Sequence, residues 1–229
     1  MKKFLAFIAL VGLAFVGLAQ APVAIVNGEP ITGEELESAS RLNQILFTVY
    51  SQYPRFAQSL LTTPEGKAFL TRYQRDVLED LILRKIQIQE ARVRGLTPDA
   101  ARVEELIGQI LEHIKTYYGL TDEELAAELA NEGLSLEEFR EELRPQAEEQ
   151  ALIEALKAAV TTDVTVSEEE VADYYEKNSG QFADAEGNIP PLAEVWDKVA
   201  TLVFTEKQEK AWQDWLKKAR ETAEVQINL

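Results

Sequence analysis

The chain has 229 residues, no cysteine, one histidine and a formal net charge of −17 at pH 7. Without cysteine it has no disulfides, thiol nucleophile or thiolate metal ligands. Its acidity argues against nucleic acid and against an anionic membrane surface as partners, since both require basic patches. The same net charge favours attraction of basic unfolded segments at low ionic strength. A hydrophobic fraction of 46% is enough for a sizeable core.

The first predicted element is a secretory signal at residues 1–19. Lys2 and Lys3 precede an uncharged, mostly aliphatic run that extends to Ala19, where small residues suit cleavage. This apolar run is shorter than the roughly 20 residues that a membrane-spanning helix needs. We therefore expect an exported protein, periplasmic or in the cell envelope, which is membrane-anchored only if the signal is retained.

A short strand and a series of helices follow the signal. The β-branched run Val23–Val26 meets Asn27-Gly28, a turn signal. Beyond it, apolar residues recur at helical spacing after capping residues or prolines. These patterns predict helices that begin near Thr32, Thr63, Thr97, Asp122, Ser135 and Ser167. The long helix from Thr63 is expected to bury Phe69 among its other apolar residues.

The last part of the chain is predicted to be a loop, a long helix and a strand. Residues 178–191 contain two glycines and two adjacent prolines, which indicates a loop, and helical spacing resumes at Leu192. The alternating end, from Glu224 onward, reads as a strand. Since a lone strand leaves its backbone groups unpaired, we expect Ala24–Val26 to pair with Val225–Ile227. The predicted fold class is mostly α, with many helices, closed by this small two-stranded pairing.

Residues for catalysis are missing from the sequence. His113 is the only histidine, and no Gly-x-Ser-x-Gly accompanies it, so we interpret it as a helix-surface residue. Gly66-Lys67-Ala68 does not complete a phosphate-binding loop. Adjacent acids such as Glu123-Glu124 are typical of helix starts and solvated faces. We expect no enzyme site, no metal site and no cofactor.

Aromatic residues are the better candidates for function. One group surrounds the helix break at Pro54, another lies at a helix end, and Trp215 is three residues from Trp212. The alternative for each is core packing. The candidate contact residues are Phe47, Tyr50, Tyr53, Phe56, Tyr117, Tyr118 and Trp215.

The order of several short motifs resembles a known family. The chain opens with VAIVNGEPIT from Val23, continues with LSLEEFREEL from Leu134 and VTVSEEEVADYYEKN from Val164, and closes with AEVQI from Ala223. This order resembles the N-terminal chaperone domain of the SurA family, shared with PrsA- and PpiD-like foldases. That domain is topologically akin to the substrate-binding arm of trigger factor.

The resemblance implies an ATP-independent chaperone that binds unfolded or nascent exported polypeptides, with the candidate aromatic residues as contacts. Family members usually carry a parvulin isomerase domain where this chain has only residues 179–191. The implied domains are therefore 1–19 (signal), 20–178 (helical chaperone part), 179–191 (linker) and 192–229 (completing helix and strand). An assembly subunit with one dedicated partner, possibly tethered, is the alternative. A prolyl isomerase with an unrecognised site is the second alternative.

Overall fold

The computed structural model describes residues 21–229, so the predicted signal lies outside the described part of the chain. This part contains the strands β1 (Ala24–Val26), β2 (Glu29–Ile31) and β3 (Val225–Ile227) and nine α-helices. The helices are α1 (Gly33–Ser40), α2 (Leu42–Gln52), α3 (Pro54–Thr62), α4 (Pro64–Val93), α5 (Ala100–Tyr118), α6 (Asp122–Asn131), α7 (Leu136–Val160), α8 (Glu168–Asn178) and α9 (Leu192–Thr222). No helix among the described residues is long and apolar enough to span a bilayer.

The two ends of the described chain meet in one antiparallel sheet. Its strand order is β2-β1-β3, with Ala24 opposite both Ile31 and Ile227. The predicted pairing of β1 with the C-terminal strand is confirmed. The sheet has three strands rather than two because the chain reverses at Asn27 and Gly28, whose φ angles of 48° and 85° suit a two-residue hairpin turn.

Asn27 also connects this hairpin to two distant parts of the chain. Its side-chain amide donates to Gln89 on α4 at 2.8 Å, and its side-chain oxygen accepts from the backbone N–H of Glu224 at 2.8 Å. Gln89 in turn donates to the carbonyl of Val26 at 3.0 Å. The turn is therefore a junction between the hairpin, α4 and the approach to β3.

Helix starts follow the capping chemistry of the sequence in most places. Thr32 and Ser167 form reciprocal capping boxes with Glu35 and Glu170, as the sequence predicts. The prediction for α5 differs by a few residues, because Asp99 rather than Thr97 caps it. The Asp99 carboxylate accepts from the backbone N–H of Arg102 at 2.8 Å.

The described chain forms two compact units. The first comprises the chain up to Ala155 together with Thr222–Leu229. The core of this unit between α5, α6 and α7 includes Ile107, Leu129 and Phe139, all fully buried. Burial of such side chains supplies most of the favourable free energy of folding.

An ion-pair network lies beside this core. On α7, Arg140 and Arg144 donate to the carboxylate of Glu104 on α5 at 2.6 and 2.7 Å. Hydrogen bonds from Arg144 first and Arg140 second hold the pKa of Glu104 below its usual value. The network therefore links α5 to α7 only while Glu104 is ionised.

The beginning of α4 departs from the predicted burial. Phe69 was expected to be buried and is 62% exposed. Between Gly66 and Leu78 no residue of α4 is fully buried. Helical spacing shows which side of a helix is apolar, but it does not show whether a neighbouring element covers that side.

The second unit is Leu156–Glu221. Its core contains Val171 of α8 and Val199 of α9, together with Phe182 from a 3₁₀ turn at Ser179–Phe182. The predicted linker is thus partly ordered, and the hydroxyl of Tyr175 donates to the carbonyl of Pro190. The interpretation of 179–191 as the place of a missing domain stays a prediction.

Candidate functional site

The aromatic residues around Pro54 lie exposed on α2, α3 and the residue between them. Phe47 is 75% exposed, Tyr50 61%, Tyr53 63% and Phe56 60%. Phe47 and Tyr50 are three residues apart in one helix and so share a face. Among the candidates from the sequence, only these four lie on consecutive elements of the chain, namely α2, Tyr53 and α3.

Local backbone geometry separates the helices that carry these residues. Arg41 adopts a left-handed conformation with φ of 50°, which ends α1 and begins α2. Tyr53 lies outside the helical region, and Pro54 occupies the first turn of α3, where its missing N–H costs nothing. These two breaks divide residues 33–62 into the three short helices α1, α2 and α3.

The packed side of these helices uses smaller residues. In α3, Ala57 is fully buried. α3 packs against both α2 and α4, and a Cβ on Gly66 of α4 would lie only 2.2 Å from the carbonyl oxygen of Leu60. The hydroxyl of Tyr73 on α4 donates to the carbonyl of Ser40 at 2.7 Å. The buried residues of these two helices are Leu42 in α2 and Ala57 in α3, and the four aromatic side chains lie outside the packed side.

Three exposed apolar residues near this group were not among the sequence candidates. They are Ile45, Leu61 and Phe69. Together with the four aromatic residues they form what we call the apolar surface, consisting of Ile45, Phe47, Tyr50, Tyr53, Phe56, Leu61 and Phe69. The amino-acid composition already set this region apart. Residues 38–64 contain no acid, although the chain has 40 acids among its 229 residues. Clusters of exposed apolar side chains commonly mark contact surfaces.

The two tyrosines at the end of α5 form a separate cluster. The rings of Tyr117 and Tyr118 meet edge to face at 4.9 Å, and His113 stacks beside Tyr117 at 6.4 Å. Tyr117 is 74% exposed, whereas Tyr118 is partly buried against the core of the first unit. His113 is exposed on the helix surface.

Trp215 belongs to the second unit. Its ring stacks on Trp212 with a centroid distance of 5.0 Å and an interplanar angle of 9°. Trp212 is buried and Trp215 is half-buried. Trp215 belongs to a different unit from the aromatic residues around Pro54 and is a separate candidate.

The shifted pKa values of Lys115 and Tyr174 have local structural causes. The pKa of Lys115 is raised by hydrogen bonds to Asp122 and Glu112. The pKa of Tyr174 is raised by desolvation and then by its hydrogen bond to Glu206. Both are interactions between or within helices of a single unit. Among the described residues no group of three or more histidine or carboxylate side chains is placed to hold a metal ion.

Similarity to known proteins is strongest in the N-terminal two thirds of the chain. The family model of the SurA N-terminal domain matches residues 20–152. Foldase protein PrsA of Clostridium botulinum (strain Langeland) is 25% identical over 166 residues, which cover 72% of this chain and 47% of that protein. Foldase protein PrsA of Clostridium kluyveri (strain ATCC 8527) is 24% identical over 168 residues, covering 73% and 48%. The chain spans about half the length of the curated relatives it matches.

A solved structure has a similar fold. It comes from work on PEB4 and Cj1289, two SurA-like chaperones of Campylobacter jejuni. The TM-score is 0.56 at 13% identity, and the match covers 91% of this chain and 99% of that one. At this identity the likeness concerns the fold alone, and it confirms the predicted mostly α architecture.

Proposed function

The chain belongs to the family of SurA N-terminal domains, as its motifs predicted, and from this premise we propose that it is an exported chaperone. It binds unfolded or extended segments of exported polypeptides without ATP and releases them unchanged. The apolar surface on α2, α3 and the start of α4 is the main contact region. Tyr117, Tyr118 and Trp215 are secondary contacts.

The observation that carries this proposal is the exposure of large aromatic side chains on short helices. Phe47, Tyr50, Tyr53 and Phe56 are each at least 60% exposed. Leaving such side chains in water is unfavourable, at about 25 cal/mol for each Å² of apolar area. A client segment that covers them recovers part of that free energy. The cost of ordering the segment offsets much of the gain, so binding is weak and reversible.

The proposal includes no nucleotide site and no isomerase site. The sequence has no phosphate-binding loop, and we infer that residues 179–191 take the place of the parvulin domain that members of this family usually carry. Weak binding through exposed apolar groups needs no energy source for release. Acceleration of X-Pro isomerisation in a short peptide would overturn this part of the proposal and leave the chaperone activity untouched.

The test is suppression of aggregation. Two unrelated proteins are diluted from denaturant, and light scattering is followed with and without the chain. The variant Phe47→Ser/Tyr50→Ser/Phe56→Ser removes three exposed aromatic rings. Loss of about 0.5 to 1 kcal/mol of contact per ring, or about 1.5 to 3 kcal/mol for the three, would raise the concentration needed for half-suppression by roughly ten- to hundredfold. Because these residues are exposed, thermal unfolding should change little.

A matched control is Val93→Ser, which removes the most exposed large apolar side chain outside the apolar surface (82% exposed). It should suppress aggregation as well as the parent chain.

Tyr117→Ser tests the cluster of Tyr117 and Tyr118 separately. If the triple variant suppresses aggregation as well as the Val93 variant, the apolar surface is not the contact region. If the parent chain protects neither client and binds one partner tightly, the protein is an assembly subunit instead.

A further inference from the structure

The apolar surface lies in a basic region of an acidic protein. Residues 41–75 contain five basic residues and one acid, a net charge of +4. Residues 20–40 and 76–229 contain 39 acids against 16 basic residues. The local charge around the exposed aromatic residues therefore has the opposite sign to that of the remaining chain.

Most cations of this region are free to meet a ligand. All five are exposed, and only Arg72 has an ion-pair partner within 4 Å among the described residues, namely Asp76 at 2.7 Å. Elsewhere in the first unit, cations such as Arg102 and Arg144 are held by carboxylates at 2.7 to 2.8 Å. The four remaining basic side chains are Arg41, Arg55, Lys67 and Arg75.

Arg55 carries one of these charges at a position that lies between exposed aromatic residues in the sequence. It directly follows Pro54 and lies between Tyr53 and Phe56, both of which are at least 60% exposed. Lys67 stands in the first turns of α4, against which α3 packs. Tyrosine hydroxyls and guanidinium groups both donate to carboxylates. Residues 41–75 therefore combine exposed aromatic side chains with four cations that have no ion-pair partner within 4 Å among the described residues, and Glu65 is the one acid in this range.

We propose that the apolar surface selects client segments in which aromatic or aliphatic residues are interspersed with Asp and Glu. This inference rests on the proposed function and names its substrate class. It reverses the preference for basic segments that the net charge of the whole chain suggests. Acids outside the region act at long range, and salt screens them beyond about 10 Å at 0.1 M. Contacts made directly to Arg55 and Lys67 are screened less.

Three fluorescently labelled peptides with one aromatic core and flanks of Glu, Ser or Lys test the inference. Their Kd values are measured by anisotropy in 0.1 M salt. The Glu-flanked peptide should bind roughly tenfold more tightly than the Lys-flanked peptide, from contact of two carboxylates with two cations. The difference should fall below about threefold in 0.5 M salt. Equal Kd values, or tighter binding of the Lys-flanked peptide, would overturn the inference and leave the chaperone proposal standing.

The variant Arg55→Gln/Lys67→Gln tests whether the preference for Glu-flanked over Lys-flanked peptides comes from this surface. It should remove the difference between the Glu- and Lys-flanked peptides and leave the Kd of the Ser-flanked peptide within about twofold. Arg92→Gln, an exposed cation near the other end of α4, is the matched control and should keep the preference. An unchanged preference in the double variant would overturn the assignment.

Two further outcomes separate this inference from other possibilities. If none of the peptides binds and no client is protected, the proposed function fails together with the inference.

Binding to vesicles of phosphatidylcholine and phosphatidylglycerol at 3:1 tests the alternative that the surface contacts a membrane, because aromatic and basic residues also suit an anionic interface. Vesicle binding that depends on Arg55, without any preference among the peptides, would assign the surface to lipid and overturn the inference.

Discussion

Asn27 should contribute more to stability than its exposed position in a turn suggests. Replacing it with Ala removes the hydrogen bonds to Gln89 and Glu224, both 2.8 Å long, each worth about 0.5 kcal/mol at an exposed site. Ala also lacks the tolerance of Asn for a φ of 48°, which adds about 1 kcal/mol. Asn27→Ala is therefore expected to lower the free energy of unfolding by about 2 kcal/mol.

The variant Asn27→Gly separates the two causes. Glycine accepts the positive φ but makes neither side-chain bond, so its cost should be about 1 kcal/mol. Thermal unfolding followed by far-UV circular dichroism should show decreases of about 4–8 °C for Asn27→Ala and about 2–4 °C for Asn27→Gly. Urea titration supplies the free energies directly.

Hydrogen exchange supplies the local measurement for the same variants. Loss of the junction should speed exchange in β1 and β3, since the backbone N–H of Asn27 donates to the carbonyl of Glu224 at 2.8 Å just before β3. The reasoning is wrong if Asn27→Ala unfolds at the same temperature as the parent chain. It is also wrong if the Gly variant is the less stable of the two, since backbone strain would then not contribute.

Two further perturbations test the packing and the charges of the first unit. Gly66→Ala should lower stability by about 1–3 kcal/mol through overpacking, because the new Cβ would lie 2.2 Å from the carbonyl oxygen of Leu60. Glu104→Gln should lower the melting temperature at pH 7 and change it much less below about pH 4. The pKa of Glu104 is lowered in the folded protein, chiefly by Arg144. Its contribution is therefore present above the unfolded-state pKa and is lost as the pH falls through the folded-state value.

Each of these perturbations has an internal control. Gly108 lies inside α5, where a new Cβ would meet no atom within 4 Å, so Gly108→Ala should stabilise the protein by about 0.5–1 kcal/mol. Equal effects at Gly66 and Gly108 would contradict the packing argument. For Glu104, the difference in melting temperature from the parent chain should hold from pH 7 down to about pH 5 and then narrow towards pH 3, as the carboxyl becomes protonated in the folded protein. A constant difference would show that the ion pair is not its source.

Much of the secondary structure could be predicted from the sequence because its signals are local. The capping pairs Thr32 with Glu35 and Ser167 with Glu170 are three residues apart and form as expected. Even the long-range pairing of β1 with β3 followed from a local argument, since each strand lacked a neighbour to satisfy its backbone. The third strand was missed, although Asn27-Gly28 is itself a hairpin signal.

The candidate site was predicted only in part. The aromatic character of residues 47–56 was visible, but exposure was not, because the same residues would have served equally well in a core. Phe69 shows the limit most clearly, since its helical spacing predicted burial and it is exposed. The sequence grouped the four aromatic residues around Pro54, but it could not show that Ile45, Leu61 and Phe69 are exposed as well, because exposure depends on which elements become neighbours.

The sequence by itself determined that this protein is mostly α-helical, lacks the residues of common active sites and resembles the SurA N-terminal domain. Those conclusions rest on periodicity, caps and residue types, which act over a few residues or need no structure at all. The tertiary structure decided which apolar residues are covered, and it left Phe47, Tyr50 and Phe56 in solvent. It also decided which charges are neutralised, pairing Arg144 with Glu104 and leaving Arg55 unpaired among the described residues. Burial and ion pairing depend on neighbours distant in sequence, so they appear only once the chain has folded.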